Sequence, residues 1–556
     1  MPRWFRPLLA GLIAVYLLGW FSPEISDPDF WWHLKTGQYV VDNHSLPVPD
    51  PFAFTSSMGQ PAYPGEPTTR HFNLTHEWLA QVLFYVAYRI GGFPGVVLFR
   101  ALLLAITCAI VGGIVHRRTS GFYRSLAATI ATAGVLQTFA VDRPFLFTFL
   151  LLAGAIAIAD SRRHLWMLTV LMLFWANCHG GFFLGWVVLA AYSAEELYRS
   201  DTAKPPIWLP SLAAIVASGL NPNGFRIPQI LGFYRSSYLT STLLEWAPTP
   251  WWPLRWYTCL LIGALVVMFL ARKKVRPVDW LLLAAFAIAA FTAYRNVALI
   301  GIFAPIVIGA YIPLWNRANA PLMQYLAPVA VVAALVAGIF AGRFFQLRVD
   351  SSRWPAGAAA FLATHGITQP MFNTYEFGGY LIWRLWPQEK VFIDGRSLNE
   401  SVFQDYARIL YNHDETGGKS AQQLLDQYGV EAILMNGFEF NTGNFYKLAP
   451  SLADPQQTTW RLVYSDAQAM VFLRHPGAGV PVLSSLAIFD GLEAQCDLHI
   501  EHDPQTPRCA RSLGQVFTQV GQYVRARRWI GKYLALPHDR DPEAEEAYRK
   551  LLGATQ

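Results

Sequence analysis

Long apolar runs recur along the first 345 residues and are cut by short polar loops. A hydrocarbon layer about 30 Å thick needs roughly 20 apolar residues per helix. Runs near residues 7–22, 94–115, 125–140, 145–159, 165–178, 182–198, 206–220, 256–271, 279–293, 297–314 and 321–342 approach that length. The pattern predicts a polytopic α-helical membrane protein with about eleven transmembrane helices. Between the first two runs lies a long polar loop, residues 23–76. Residues 77–91 are amphipathic and too polar for a span, so they predict a helix lying in the interface. Arg3 and Arg6 precede the first run as they would in a secretory signal. No small-residue cleavage site follows, and the run is expected to stay as an anchor.

After residue 350 the period changes. "PMFN", "KVFIDG" and "VEAILMN" read as strands, and "AGAAAFLATHG", "EFGGYLIWRLWP", "NESVFQDYARILYN" and "SAQQLLDQYG" as helices. "WRLVYSD" and "AQAMVFLR" read as a closing hairpin. This alternation predicts a small α/β domain over 350–480. Residues 485–556 differ again: amphipathic helices separated by "LPHDRDPE" resemble one degenerate tetratricopeptide hairpin, with Gly521, Tyr523, Ala526 and Pro537 at repeat-like places. One repeat cannot build a solenoid, so a TPR-like helical cap on the α/β domain is expected.

Composition agrees with membrane embedding, since 53% of residues are apolar and 14% charged. The net charge of +6 comes largely from one set of loops, "HRRTSGFYR", "DSRRH", "RSDTAK", "ARKKVRP" and "NRAN". Lys and Arg accumulate on the cytoplasmic side. The basic balance therefore reports topology and implies no nucleic-acid partner. With the N-terminus inside and an odd number of spans, residues 350–556 lie outside, as expected of a multi-pass protein of a bacterial cytoplasmic membrane. Cys108, Cys178 and Cys259 sit in or beside apolar runs as packed thiols. Cys496 and Cys509 both fall in the outer segment, where an oxidising compartment would let them pair. No Cys or His spacing reads as a zinc site, and neither a GxGxxG nor a Walker sequence supports nucleotide binding.

The chemistry-bearing residues fall on the expected outer face. "EISDPDFWWHLKTGQ" follows the first run and brings Asp27, Asp29, Trp31, Trp32, His33 and Lys35 together. Tryptophan is enriched at membrane interfaces and an acid can cap a helix. Two acids, a histidine and a lysine within a few residues exceed that need, so Asp27 and Asp29 are the candidate catalytic carboxylates. His76 and Glu77 open the interfacial helix. Arg143 in "VDRPF", Arg226 in "NPNGFR" and Arg295 in "AYRNVAL" supply cations suited to phosphate. Asn177 and His179 in "WANCHGG" and Glu245 in "EWAPTPWW" complete the candidate substrate-binding set. "VFIDGRS" offers Asp394 and Arg396 after a strand, as a docking site or as a locally paired turn.

A first span opening into a long outer loop that starts with an acidic motif, followed by an interfacial helix, resembles the GT-C superfamily of membrane glycosyltransferases. "DPDFWWHLKTGQ" is similar to the first acidic motif of oligosaccharyltransferase catalytic subunits, with Asp27 and Pro28 matching and His33 near the basic position. "HEWLAQVLFY" and "FNTYEFGGYLIWRLWPQEKVFIDGR" also resemble bacterial membrane proteins described as GT-C-like. The resemblance implies a polyprenyl-phosphate-linked sugar donor in the lipid bilayer and a glycan, lipid or protein acceptor. It implies an inverting transfer in which a carboxylate takes the acceptor proton while arginines hold the leaving phosphate. The "WWD" acceptor motif of oligosaccharyltransferases has no counterpart here, which argues against peptide asparagine. Metal dependence varies within the superfamily, so no cofactor is certain and a divalent metal stays open. A ligase or polymerase of lipid-linked glycans would share the donor. A transporter or assembly scaffold is the non-catalytic alternative, although transporters place ionisable groups near the bilayer midplane.

Overall fold

The computed structural model describes residues 4–199, 205–238, 246–313, 321–411, 418–454 and 456–554. It divides into two compact units, Met1–Val48 with Tyr63–Val349 and Pro49–Ala62 with Asp350–Gln556. The chain is helical with one small sheet.

The first unit is built of helices. α1 is Phe5–Trp20, α2 Asp29–Asn43, α3 Glu66–Thr75 and α4 Trp78–Thr119. Later helices include Phe145–Ser161, Met167–Cys178, Pro277–Thr292 and Val297–Tyr311. Helices thus occupy the apolar runs, but two helical stretches among the described residues have the length and apolarity of a span, Glu66–Thr119 and Tyr294–Tyr311. Others, such as Phe5–Trp20 and Trp256–Leu270, are apolar but shorter. At 1.5 Å per residue, 15 or 16 residues fall short of the hydrocarbon thickness. Among the described residues, two stretches thus reach span length by themselves.

The interfacial helix and the run after it form one kinked element. Gly92 breaks α4 at φ 61° and ψ −152°, a left-handed conformation that glycine adopts without a Cβ penalty, and Pro94 follows at the restart. α2 was expected as loop and is a helix. It lies hard against α4, since a Cβ on Gly37 would stand 2.1 Å from the Gln81 carbonyl oxygen.

Far ends of several helices meet in an ion network. Arg118 pairs with Asp160 at 2.7 Å and Asp279 at 3.1 Å, and Arg276 with the same two at 2.7 and 3.2 Å. Tyr192 donates to Asp160 at 3.2 Å and Tyr311 to Asp279 at 2.5 Å. These arginines, which the loop pattern marks as topological, also tie helices together.

The second unit has a four-stranded sheet of β1 (Met371–Asn373), β2 (Ala432–Met435), β3 (Arg461–Ser465) and β4 (Met470–Leu473), in the order β1-β2-β4-β3. β1 and β2 are parallel and the other pairs antiparallel. "KVFIDG" is not a regular strand. Val391 instead makes a parallel bridge to Ala53, with its N–H donating to the Phe52 carbonyl at 3.0 Å. Residues 49–62, expected to stay with the long loop, thereby belong to this unit.

Asp50 closes the insertion. It pairs with Arg396 at 2.7 Å, each side chain 2% exposed, and Arg396 also holds Asp394 at 2.7 Å. The Asp394–Arg396 turn is thus locked internally. The helices Ala487–His502, Arg508–Gln519 and Tyr523–Ala535 share one core with the sheet, from Phe372 and Phe472 to Leu492, Phe517 and Trp529. Cys496 and Cys509 are joined across two of them, with Cα atoms 5.7 Å apart.

Candidate active site

Six segments of the first unit bring their polar ends together. Pro28 occupies the position before α2, and Asp27 just upstream accepts the Asp29 N–H through Oδ1 at 2.8 Å, capping the helix start. Arg143, just before the Phe145–Ser161 helix, spans both acids, with Nε 2.7 Å from Asp27 Oδ2 and Nη1 2.9 Å from Asp29 Oδ2. Trp32 Nε1 donates to Asp29 Oδ1 at 3.0 Å. All four carboxylate oxygens accordingly hold an N–H donor. The two candidate catalytic carboxylates and the candidate phosphate-binding arginine are thus brought together in one group.

Glu77 is the carboxylate not tied to an arginine. It precedes α4 and is surrounded by imidazoles: His76 Nε2 at 3.2 Å and His179 Nε2 at 3.6 Å from Oε1, and His33 Nδ1 at 3.7 Å from Oε2. Burial pushes His33 and His179 down to about 3, against the pull of Glu77, so both rings are neutral.

Hydrogen bonds fix the rings. His76 Nδ1 donates to the Phe72 carbonyl at 2.8 Å and the ring stacks on Phe72 at 4.1 Å. Its Nε2 is left facing Glu77. His179 Nδ1 accepts from the Gly181 N–H at 3.0 Å and meets Thr148 Oγ1 at 2.8 Å, while Trp175 Nε1 donates to that same oxygen at 2.9 Å. Thr148 must therefore donate to Nδ1, and the proton of His179 sits on Nε2, facing Glu77. Ligand atoms of His76, Glu77 and His179 lie within 4.8 Å of one another, a spacing a metal ion could use. The donor set does not fit one as arranged, because a metal-binding Nε2 would require a proton on Nδ1, where two donors already point.

The remaining candidates divide. Trp31 is buried against Phe30 and Phe93, with ring centroids at 5.1 and 5.7 Å, and forms a wall. Trp32 lies over His33 at 3.6 Å. Arg295 stacks its guanidinium 3.7 Å from the Trp246 ring centre, and its charge reaches His179 and Tyr234. Lys35 is buried on α2, where burial lowers its pKa against the pull of Asp42, a residue outside the cluster.

Asn177 bridges neighbouring helix ends. Its Oδ1 accepts from Trp78 Nε1 at 3.0 Å and its Nδ2 donates to the carbonyls of Leu173 and Leu220, both at 2.9 Å. Arg226 is exposed at the start of the Ile227–Tyr234 helix. Glu245 lies outside the described residues.

Sequence reasoning missed Gln81, whose Nε2 lies 3.2 Å from His33 Nδ1, and Arg100 within α4. Arg100 pairs with Asp142 at 2.5 Å, each side chain 1% exposed. Gln81 stands four residues after Glu77, the spacing of one helix face. Arg100 is a charge within an apolar run, which is itself a signal of a buried partner.

No protein-family model and no curated protein matches the sequence. Solved structures do match by fold. Archaeal oligosaccharyltransferase AglB from Archaeoglobus fulgidus, in complex with an inhibitory peptide and a dolichol-phosphate, superposes with a TM-score of 0.51 at 10% identity, over 89% of this chain and 77% of that one. The apo form of the Archaeoglobus fulgidus oligosaccharyltransferase gives 0.52 at 10% identity, over 86% and 75%. The chain therefore has a fold similar to that of the archaeal oligosaccharyltransferase AglB.

Proposed function

We propose that the chain is a membrane-bound inverting glycosyltransferase that moves a sugar from a polyprenyl-phosphate donor to an acceptor at the outer face of a bacterial cytoplasmic membrane. In this reading the short apolar helices cross the bilayer together with the two long ones, and the second unit is extracytoplasmic. The observation that carries it is the convergence of the Asp27–Asp29–Arg143 group with the Glu77–His33–His76–His179 group, whose charges act on one another through His33. The AglB fold supports a lipid-linked donor, since a dolichol-phosphate accompanies that protein.

Within the site, Asp27 and Asp29 orient Arg143, and Arg143 with Arg295 stabilises the phosphate as its charge grows in the transition state. Glu77 receives the acceptor proton once the new carbon–oxygen bond has made that proton strongly acidic, because it is the carboxylate of the cluster held by histidines rather than by an arginine. Trp31 and Trp32 exclude water from the reacting centre. The acceptor is a glycan, lipid or protein group bearing a hydroxyl.

Binding of a polyprenyl phosphate to the purified full chain tests the donor assignment. Arg143→Ala and Arg295→Ala are expected to weaken it, and Arg295→Lys to restore only part, because lysine lacks the planar fork. Unchanged affinity in all three variants would refute the phosphate role.

A further inference from the structure

We propose, resting on the reading of Arg143 as the clamp of the donor phosphate, that Arg100 is the positioning residue that sets this clamp. From within α4 its guanidinium ties the chain leading to Asp27 to the chain carrying Arg143, and so fixes the bridge between them. A charge inside an apolar run is retained only where partners hold it and a role requires it.

Arg100 is 1% exposed and donates to acceptors from two segments. Its Nε meets the Phe21 carbonyl at 3.3 Å and its Nη2 the Pro23 carbonyl, while Nη1 meets Asp142 Oδ2 at 2.5 Å. Phe21 closes α1, where the last carbonyls of a helix lack partners within it. A planar fork can serve carbonyls on one side and a carboxylate on the other, which a lysine cannot.

Both segments pass that position on over a short distance. Between Pro23 and Asp27 the chain is held as well: the Ile25 N–H donates to the Arg348 carbonyl at 3.0 Å, and the buried Ile25 forms a parallel bridge with Val349. On the other side Asp142 directly precedes Arg143, whose N–H turns back onto the Val141 carbonyl at 3.0 Å. Charge argues the same way. The charges of Asp27 and Asp142 act on one another, and Arg100 takes Asp142 while Arg143 keeps Asp27 and Asp29. The second oxygen of Asp142 is buried with no hydrogen-bond partner among the described residues. Without Arg100, a buried carboxylate one residue from Arg143 would compete for that guanidinium.

The test is binding of a polyprenyl phosphate to the purified full chain, with the unfolding midpoint measured beside it. Arg100→Leu alone strands Asp142, so the main variant combines Arg100→Met with Asp142→Leu; apolar replacement of both members of a buried pair is often tolerated. This pair is expected to keep the midpoint and to weaken donor binding about tenfold, since small misplacements of a binding group are costly. In an Arg143→Ala background the same two changes are expected to weaken it no further, because Arg100 acts through Arg143. Arg100→Lys keeps a cation beside Asp142 and so the fold, and is expected to weaken binding less than the pair; it decides the matter should the pair not fold. Unchanged donor affinity in Arg100→Lys and in the folded pair overturns the proposal, as do losses that multiply when the pair is combined with Arg143→Ala. Unchanged affinity in Arg143→Ala alone refutes the clamp itself and this role with it, whereas a loss there with none in the Arg100 variants refutes only the role of Arg100.

Discussion

Removing the guanidinium of Arg143 is expected to cost more than the sum of its visible contacts. It lies 2.7 Å from Asp27 and 2.9 Å from Asp29, with Asp27 7% and Arg143 24% exposed. Breaking a fully buried pair costs about 3–5 kcal/mol, and exposed pairs contribute about 0–1 kcal/mol. A partly exposed arginine between two acids falls between, so Arg143→Leu should destabilise by about 2–3 kcal/mol. Asp27→Asn leaves Arg143 with Asp29 and should cost about 1 kcal/mol. The double variant removes one of the two stranded acids, so a double-mutant cycle should show a coupling of about 1–2 kcal/mol. Unfolding of the full chain in mixed micelles with increasing dodecyl sulfate, followed by tryptophan fluorescence, provides the assay. If the double variant equals the sum of the singles within a few tenths of a kcal/mol, the Arg143 bridge does not exist.

Other consequences follow from buried charge. Asp50→Asn should destabilise by about 2–4 kcal/mol, below the full cost of a broken buried pair because Arg396 keeps Asp394; protease resistance of residues 49–62 checks it, and an unchanged digestion pattern would refute the insertion. His33 and His179 titrate near 3 when folded against an ordinary 6.5. The unfolded chain therefore takes up more protons as pH falls through 6.5, and each histidine should cost roughly 2 kcal/mol of stability by pH 5; a flat unfolding midpoint between pH 7 and 5 would count against it. Glu376 has the opposite sign. Burial raises it to about 7, against its own backbone N–H and the Tyr446 hydroxyl. Its folded form holds a proton that the unfolded form loses above 4.5, so the second unit should lose roughly 3 kcal/mol as pH rises from 4.5 to beyond 7. Glu376→Gln should remove that slope.

Much of the helical unit was legible because its apolar runs are continuous. α2 was not, for a physical reason: every residue from Phe30 to Gly37 is buried, so the helix shows no polar face and no period. The same burial made "DFWWHLK" look like a site rather than a helix, and it is both. The pairing of Asp50 with Arg396 spans 346 residues and has no local signature. The gathering of His33, His76, Glu77 and His179 was legible only as residue types on one expected face. Their order of importance was not, because the arginine that engages Asp27 and Asp29 comes from a distant loop. The contact of Asn177 with Trp78, 99 residues away, likewise has no local signature.

The central claim is glycosyl transfer with Glu77 as proton acceptor, and turnover of a polyprenyl-phosphate sugar by the reconstituted full chain tests it most directly. Glu77→Gln keeps the size of the side chain and removes the basic oxygen, so turnover should fall by roughly 10²- to 10⁴-fold with donor affinity little changed. Asp27→Asn should lower both turnover and donor binding, because it loosens Arg143. Near-normal turnover in Glu77→Gln, or no transfer from any polyprenyl-phosphate sugar by the wild-type chain, would contradict the account.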